Sequence, residues 1–300
     1  MLWFRMLTPQ QIETYRRDGY LVIPRLIQGE QLAELRALTD RIVADARGVS
    51  ANDDLYDLEP SHSASLPRVR RLKPAIFKRY EFFRALTRDP KITSILSSLL
   101  GPNIRLYGGK LNMKSAGYGS PVEWHQDWAF YPHTNDDVLA TGIYLDDCDL
   151  DNGPLLVVPG SHCGPTWDHH ADGRFCGALN PQECDIDLSK AVPLMGPAGS
   201  MTIHHARLVH GSALNRSNRQ RRLLLHEYTA ADAWPLMGVA NFDDFNDRMV
   251  LGDAGIEPRV VAAPVRMPLP AADHPGSIYE NQRGTGRRFF TTFEEQAVAN

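Results

Sequence analysis

The sequence predicts a mainly β protein, with a closed or double-sheet β architecture and supporting α-helices near the N-terminus. After residue 103 the chain contains about eight short strand-like runs, which Gly, Pro, Asn and Asp separate and between which no helical pattern appears. Before that point, apolar residues recur at the three- and four-residue spacing of amphipathic helices. Of the 300 residues, 43% are hydrophobic and 23% are charged, which excludes disordered, collagen-like and coiled-coil chains.

The first helix is predicted to begin after Thr8. That residue can cap the helix, Pro9 suits its first turn, and Gln11 stands at the capping-box position. Gly19 is expected to end the helix, and a short strand follows it over residues 20–23. Further helices are expected over residues 29–46, 81–87 and 90–100, and a loop is expected over 48–67.

The β region is expected to form one domain with the helices before it. Its predicted strands cover residues 104–114, 121–128, 138–145, 155–158, 191–195, 200–204, 207–210 and 221–229. Residues 163–190 carry no pattern and are expected to be a long loop, of the kind that is often functional. We therefore expect a helical support (8–100), a core (about 103–230) and a tail (231–300), of which residues 277–282 are a candidate lid.

Charge and composition exclude several classes of partner. The 32 Lys and Arg residues against 36 Asp and Glu residues give a net charge of −4, so no basic excess favours nucleic acid or an anionic membrane. No apolar run reaches the ~18 residues of a membrane span, and the apolar N-terminus is too short for a signal peptide. The four cysteines form no C-x-x-C pair and are expected to be reduced thiols. We expect a cytoplasmic monomer or homodimer that acts on a small molecule.

The candidate metal ligands begin with His125 and Asp127. Side chains two apart on a strand point to the same face, so this imidazole and this carboxylate can bind one metal ion. A third ligand from a neighbouring strand, for which His210 is the candidate, completes a 2-His-1-carboxylate face. A second H-x-D, formed by His170 and Asp172, lies in the polar loop, where no strand fixes the alternation. The aromatic and apolar residues around the first motif favour it as the metal pair.

An arginine follows the third candidate ligand in a pattern that suits a hairpin. A turn-rich stretch separates His210 from the predicted strand that contains Arg221. A guanidinium is the usual partner for a buried carboxylate because it binds both oxygens at once. With Ser212 nearby, this pattern suits a 2-oxo dicarboxylic acid, although Arg219 and Arg222 compete for the same role by composition.

Five motifs resemble those of a known family. They are D-G-Y-L-V-I-P at residues 18–24, G-P-N-I at 101–104, H-Q-D at 125–127, D-N-G-P-L-x-x-x-P-G-S-H at 151–162, and H-G-S followed by N and R at 210–221. In this order they resemble the phytanoyl-CoA dioxygenase-like group of Fe(II)/2-oxoglutarate oxygenases. The resemblance spans about residues 8–230.

The resemblance implies a fold, a set of cosubstrates and a set of site residues. The fold is a double-stranded β-helix, also called a jelly roll, which is cupin-like, and the cosubstrates are 2-oxoglutarate and O2. The implied ligands of Fe(II) are His125, Asp127 and His210. The residues implied to lie at 2-oxoglutarate are Arg221, Ser212, Gln126 and Lys114.

The residues that contact the substrate are harder to predict than those at Fe(II) and 2-oxoglutarate. Its candidate residues are Lys73, Asn112, Trp128, Phe130, Ile143, His226 and Tyr228. Ile143 stands where the acyl-CoA-hydroxylating relatives carry a tryptophan, and this departure leaves the substrate open. Lys110, Asn112 and Lys114 alternate along one predicted strand and so share one of its faces. That face can line a cavity, or it can be exposed to solvent with no role at the site. Of the adjacent His204 and His205, one is expected to be a core histidine.

The implied activity is hydroxylation of an unactivated C–H bond in a small metabolite, with succinate and CO2 as coproducts. The same apparatus also desaturates, epoxidises or cyclises in some relatives, and an acyl-CoA or carrier-bound acyl chain is the second substrate class. Two alternatives are of another kind: a zinc hydrolase with the same three ligands, and an inactive binding module. Consumption of 2-oxoglutarate separates them, because neither alternative consumes it.

Overall fold

The computed structural model describes residues 6–117, 119–274, 276–281 and 289–290. The described residues form the α-helices Pro9–Asp18 (α1), Gly29–Asp45 (α2), Ala75–Arg79 (α3), Glu81–Leu86 (α4), Pro90–Leu100 (α5), Phe242–Asn246 (α6) and Ile278–Asn281 (α7). They also form the β-strands Tyr20–Ile23 (β1), Tyr56–Leu58 (β2), Val69–Leu72 (β3), Ile104–Lys114 (β4), Val122–His125 (β5), Val138–Tyr144 (β6), Leu155–Val157 (β7), His170–Ala171 (β8), Arg174–Phe175 (β9), Val192–Leu194 (β10), Met201–His205 (β11), His210–Ser212 (β12), Arg221–Ala230 (β13) and Met249–Leu251 (β14). Within these ranges, no helix has the length and apolar character needed to cross a membrane.

Helix α1 begins and ends as the sequence predicts. The hydroxyl of Thr8 accepts a hydrogen bond from the backbone N–H of Gln11 at 3.2 Å, and the side chain of Gln11 accepts one from the N–H of Thr8 at 3.0 Å. These two bonds satisfy donors that a helix N-terminus otherwise leaves without partners. The helix ends at Gly19, whose φ of 82° lies in the left-handed region that glycine adopts without a steric cost.

The strands form two antiparallel sheets with the architecture of a jelly roll. The major sheet has eight described strands in the order β1-β11-β6-β13-β4-β3-β2, with β14 also paired to β4. The minor sheet has the order β10-β7-β12-β5, and a separate hairpin joins β8 to β9. Sequence neighbours are thus rarely sheet neighbours, which is expected when a chain winds back and forth between two sheets. The predicted fold class is confirmed.

The N-terminal region contributes more than helices. Strand β1 pairs with β11 at one edge of the major sheet, and β3 pairs with β4 toward the other edge. A sheet edge presents unpaired N–H and C=O groups, so these additional strands complete hydrogen bonds that the core strands leave open. Two elements differ from the predictions. Strand β2 lies within the expected loop over residues 48–67, and the short helix α3 comes directly before α4.

The main hydrophobic core lies between the major sheet and the helices. It joins apolar side chains of α2 and α5, such as Leu35, Ile42 and Leu96, to the outward residues of the sheet, such as Ile143 and Leu224. Alternate residues of a strand point to opposite faces, so the other half of each strand faces the minor sheet. The space between the two sheets is where the candidate site lies.

Candidate metal and cosubstrate site

A cavity of about 670 Å3 opens between the two sheets. Ligand sites are typically clefts of roughly 300–1,000 Å3, so its size suits one or two small molecules. Its wall contains alternate residues of the two long strands of the major sheet, namely Gly108, Lys110, Asn112 and Lys114 on β4, and Arg221, Leu223, Leu225 and Glu227 on β13. The minor sheet closes the opposite side with His125, Leu155, His210 and Ser212.

Two strands and one short turn bring the three predicted metal ligands together. His125 ends β5, His210 begins β12, and the two residues lie opposite each other in the register of these strands. Asp127 begins a single 3-10 turn directly after β5. One ligand atom from each of the three lies within 4.8 Å of the others, and all three side chains are buried. The Asp127 carboxylate lies 3.8 Å from Nε2 of His125 and 3.9 Å from Nε2 of His210.

Backbone carbonyls determine which nitrogen of each imidazole is available. Nδ1 of His125 lies 2.7 Å from the carbonyl oxygen of Glu123, and Nδ1 of His210 lies 2.9 Å from that of Leu208. A carbonyl only accepts, so each Nδ1 carries the proton and each Nε2 presents a lone pair to the space between the ligands. Burial lowers the pKa of both imidazoles, which keeps them neutral as metal ligands must be.

The aspartate of the triad is held by a fourth residue, His204. Nε2 of His204 lies 3.3 Å from Oδ2 of Asp127 and is placed to donate to it. Burial alone raises the pKa of a carboxyl group, but the hydrogen bond from His204, together with the nearby charge of Lys110, holds the pKa of Asp127 well below its ordinary value. Asp127 is therefore ionised. His204 is the member of the His204–His205 pair that faces the cavity.

The donor set fits Fe(II). Two neutral imidazole nitrogens and one carboxylate, on one side of a shared space, are the ligands of the 2-His-1-carboxylate oxygenases. Each of the three ligands also has an outer hydrogen-bond partner. The backbone carbonyls of Glu123 and Leu208 bind the two imidazoles, and His204 binds the carboxylate. Such partners fix the orientation of metal ligands before the metal binds.

Arg221 lies in the same cavity and is almost fully buried. Its Nε and Nη2 donate to the carbonyl oxygen of Gly153 at 3.0 and 2.8 Å, while Nη1 donates to no described residue. Ser212 also lines the cavity, so a hydroxyl and one edge of a guanidinium are available to a carboxylate there. The two competing arginines are engaged elsewhere, because Arg219 is exposed and pairs with Asp149, and Arg222 pairs with Asp40 and Asp146.

Lys114 faces Arg221 across the β4–β13 pair, but its ammonium group is directed to the backbone. Nζ lies 2.7 Å from the carbonyl oxygen of Ser120, 2.5 Å from that of Ala213 and 3.5 Å from that of Ser212. Burial holds the pKa of Lys114 well below its ordinary value, and the charge of Arg221 contributes to this. Lys114 thus connects the segment at Ser120 to the segment that contains Ser212. Contact between Lys114 and 2-oxoglutarate stays a prediction.

Gln126 and Trp128 do not face the cavity, which corrects the expectation for both. Gln126 comes directly after β5 with an extended backbone and points away from the cavity, where its amide nitrogen donates to the carbonyl oxygens of Pro165 and Arg207. The indole N–H of Trp128 donates to the carbonyl oxygen of Pro264, and its ring is fully buried. Gln126 and Trp128 anchor surrounding loops.

Four other substrate candidates also lie outside the cavity wall. Ile143 belongs to the core between the sheet and the helices, so it packs instead of contacting a substrate. His226 and Tyr228 alternate with the inward residues of β13 and therefore face the helices, where the hydroxyl of Tyr228 donates to the carbonyl oxygen of Thr87. Lys73 pairs with Glu280 at 3.6 Å. These four expectations are corrected.

The remaining candidates do line the cavity, together with residues that the sequence analysis missed. Asn112 and Phe130 are part of the wall, and the ring of Phe130 packs edge-on against His125 with the ring centres 6.0 Å apart. Arg71 and Tyr131 were not anticipated. Burial, with the neighbouring Asp127, holds the pKa of Tyr131 well above its ordinary value, so the hydroxyl stays protonated. The alternation of arginines at 68, 70 and 71 offered no signal of which one turns inward.

The tail contributes to the wall where it is described. Gly276, Ser277, Ile278 and Tyr279 line the cavity, and the hydroxyl of Ser277 donates to Asp57 at 3.1 Å. The ring of Tyr279 lies under the guanidinium of Arg70, with 4.5 Å from Cζ to the ring centre. Gln282, the last residue of the candidate lid, and residues 1–5 lie outside the described residues. A lid role for the tail stays a prediction.

The second H-x-D does not form a metal site in the described structure. Its His170 lies on β8 and pairs with Asp168 at 2.7 Å, and Asp172 occupies the hairpin turn with a φ of 53°. Among the described residues, the one group of three ligating side chains is the triad of His125, Asp127 and His210.

Several known proteins are similar to this chain. The family model for phytanoyl-CoA dioxygenase matches residues 15–223. The chain is 38% identical over 290 residues to a probable alpha-ketoglutarate-dependent hypophosphite dioxygenase of Stutzerimonas stutzeri, covering 95% of this chain and 100% of that protein. It is 31% identical to the L-proline trans-4-hydroxylase of Streptomyces griseoviridis, over 74% of this chain and 86% of that protein.

A solved structure extends the comparison to the fold and cofactors. The epimerase SnoN in complex with Fe3+, alpha ketoglutarate and nogalamycin RO superposes with a TM-score of 0.60 at 26% identity, over 86% of this chain and 97% of that chain. Fold and site together define an Fe(II)- and 2-oxoglutarate-dependent dioxygenase. The chain belongs to the phytanoyl-CoA dioxygenase family.

Proposed function

We propose that this dioxygenase hydroxylates an unactivated C–H bond of a small metabolite, with His125, Asp127 and His210 as the ligands of Fe(II). In this proposal Arg221 and Ser212 bind the C5 carboxylate of 2-oxoglutarate. The observation that carries it is the presence, in one cavity, of a buried triad and a buried arginine whose Nη1 donates to no described residue.

Each part of the cavity has a separate task in this proposal. When bound, Fe(II) supplies the activation of O2 that oxidation of an unactivated bond requires. The triad fixes the ion, and Arg221 orients the cosubstrate toward it by charge-assisted hydrogen bonds. Leu223, Leu225 and Phe130 supply apolar wall that excludes water around the reacting groups. His204 keeps Asp127 oriented and ionised.

Oxidation of hypophosphite is a second candidate function. The likeness to the hypophosphite dioxygenase covers almost the whole of both chains. In this reaction one oxygen atom of O2 enters a P–H bond and gives phosphite, while the other oxidises 2-oxoglutarate to succinate and CO2. The same apparatus serves either bond, so the substrate and not the chemistry separates the two candidates.

The test is coupled formation of succinate. Purified protein is incubated with Fe(II), ascorbate, 2-oxoglutarate and O2, and succinate is measured without added substrate and with L-proline, hypophosphite or pools of small metabolites. We expect one addition to stimulate succinate formation at least tenfold and to yield one oxidised product per succinate. Absence of any 2-oxoglutarate consumption, in the presence of iron, would contradict the proposal.

The proposal also includes where and in what form the enzyme acts. We infer a cytoplasmic monomer or homodimer that acts on free small molecules, without nucleic acid or membrane partners. The net charge of −4 and the small size of the cavity support this. Light scattering of the purified protein measures the oligomeric state, and a mass above that of a dimer would contradict it.

A further inference from the structure

Among the described residues that line the cavity, one cation has neither a carboxylate nor a carbonyl partner. Five cationic side chains of the described chain take part in the wall: Arg71, Lys110, Lys114, Arg221 and Arg248. Lys110 pairs with Glu227 at 2.8 Å, and Lys114 binds backbone carbonyls. Arg221 is assigned to 2-oxoglutarate, and Arg248 donates to the carbonyl oxygen of Tyr107. Arg71 is the cation that remains.

Arg71 donates no hydrogen bond to any described residue, and no described carboxylate lies within ion-pair distance of it. The carboxylates whose charges reach it are Asp57, Glu227 and Glu280. Each of these already has a cation of its own: Asp57 binds Arg70 at 2.7 Å, Glu227 binds Lys110, and Glu280 pairs with Lys73. Nε of Arg71 is buried and has no hydrogen-bond partner in the part of the chain that the structure describes. A buried, unpaired donor on a charged group is costly, so a cavity that keeps one suits an anionic ligand.

Asn112 stands directly opposite Arg71 in the register of β3 and β4. Its Oδ1 is also buried without a hydrogen-bond partner among the described residues. The two ends of an amide side chain are interchangeable by a rotation, so Asn112 can turn Nδ2 to the cavity and donate beside the guanidinium. Directly opposed residues of an antiparallel pair lie about 5 Å apart at Cβ, which allows both to contact one small group.

We propose that Arg71 and Asn112 bind an anionic group of the substrate, and that the enzyme therefore acts on a small anion. This inference rests on the proposed function, because it takes Arg221 as the site of the cosubstrate. The substrate class includes oxyanions of phosphorus and carboxylates that are small enough to share the cavity with 2-oxoglutarate. The anion site is separated from Arg221 by two residues along the strands, since Arg221 lies opposite Lys114 and Asn112 is two residues from Lys114 on β4.

The experiment separates binding of the anion from binding of 2-oxoglutarate. Holoprotein with Fe(II) and 2-oxoglutarate is titrated anaerobically with hypophosphite, phosphite and acetate in a calorimeter. The variants are Arg71→Gln, which removes the charge, and Asn112→Asp, which places a carboxylate opposite Arg71 and neutralises it. Arg216→Gln is the matched control, because Arg216 is exposed and lies outside the cavity wall. Affinity for 2-oxoglutarate is followed by its visible charge-transfer band with Fe(II).

We expect at least one of the three anions to bind the unaltered enzyme, and both cavity variants to weaken that binding at least tenfold. The control should change it less than twofold, and half-saturation by 2-oxoglutarate should stay within threefold in every variant. The inference is overturned if no probe anion binds, if the cavity variants bind it normally, or if Arg71→Gln loses 2-oxoglutarate instead. Failure of the proposed function has another signature, which is the absence of the band and of succinate in the unaltered enzyme.

Discussion

The ionisation of the triad is determined by residues outside it. Carbonyl groups of Glu123 and Leu208 assign the protons of the two imidazoles, and His204 donates to the aspartate. The candidate metal site is therefore organised before an ion binds, which lowers the reorganisation that binding requires.

The two H-x-D motifs offer a direct comparison at this scale. Asp127→Asn should reduce coupled succinate formation at least about 100-fold, because the substitution removes the negative charge and a metal ligand. The charge-transfer band with Fe(II) and 2-oxoglutarate should be lost with it. Asp172→Asn is the control, since asparagine also tolerates the positive φ of that hairpin turn, and it should keep near-normal turnover. Loss of activity only in the Asp172 variant would move the metal site to the loop.

Arg221 gives a second prediction for a single side chain. Arg221→Gln should raise the concentration of 2-oxoglutarate needed for half-maximal turnover, because a buried carboxylate without its cation costs roughly 2–5 kcal/mol, or about 30- to several-thousand-fold in affinity. Binding of Fe(II) alone should be retained. The exposed Arg219→Gln should shift the requirement for 2-oxoglutarate less than about threefold. A larger effect from Arg219 would assign the cosubstrate to the other arginine.

At the scale of elements, the two faces of strand β13 have different tasks. Its inward residues, from Arg221 to Glu227, line the cavity, while His226 and Tyr228 pack on the helices. The same alternation explains why Gln126 turns away from the metal between its two neighbours. The alternation of side chains that identified His125 and Asp127 as a pair therefore also places Gln126, His226 and Tyr228 outside the site.

The turn before β11 contains the described glycine at which an added Cβ atom would meet the closest neighbour. Gly199 has a φ of 81°, and a Cβ atom there would lie 1.8 Å from the carbonyl oxygen of Ile27. Gly199→Ala should lower the free energy of unfolding by more than about 3 kcal/mol, because backbone strain adds to the clash. Thermal unfolding followed by circular dichroism measures the loss. Gly255→Ala should leave the midpoint nearly unchanged, since nothing lies within 4 Å of a Cβ at that position; equal stability of the two variants would be inconsistent with this turn.

At the scale of the whole molecule, buried neutral histidines make folding sensitive to acid. Burial lowers the pKa of His133 to about 4 and that of His169 and His226 to about 3. In the unfolded chain these groups have a pKa near ~6.5, so below that pH the unfolded state binds protons that the folded state does not. Stability is thus fully present above about pH 6.5 and is lost as the pH falls toward the folded pKa values.

The melting temperature of the metal-free protein should accordingly fall between pH 7 and 5.5. Each such histidine contributes a slope of up to about 1.4 kcal/mol per pH unit. His226→Phe, which keeps an aromatic ring beside Phe77, should make the slope shallower. A melting temperature that rises over this interval, or a slope unaffected by the substitution, would show that these imidazoles do not control the acid response.

Much of the fold and part of the site follow from local patterns. The bounds of α1, α5 and β4 could be predicted because a cap, a proline and an uninterrupted strand pattern are each local signals. The triad is brought together because two of its members share one short stretch and the third lies on the paired strand. Arg71 could not be found in this way, since its place in the cavity depends on the pairing of β3 with β4, which sets Arg71 opposite the distant residue Asn112. His204 similarly depends on which face of β11 is inward.

The division of the cavity wall among segments has an evolutionary consequence. His125, His210 and Arg221 belong to paired core strands, and Asp127 directly follows one of them. Much of the outer wall comes instead from Arg71 and Pro74, from positions within 235–248 and from residues 276–279, which lie near a sheet edge or outside the core strands. Mutations, insertions and deletions in those segments can reshape substrate preference while the iron and 2-oxoglutarate positions persist. Related proteins can therefore come to oxidise different substrates by changes in these segments alone. Reconstructed ancestral versions of the segments, placed on one common barrel, would show the order in which substrate preference changed.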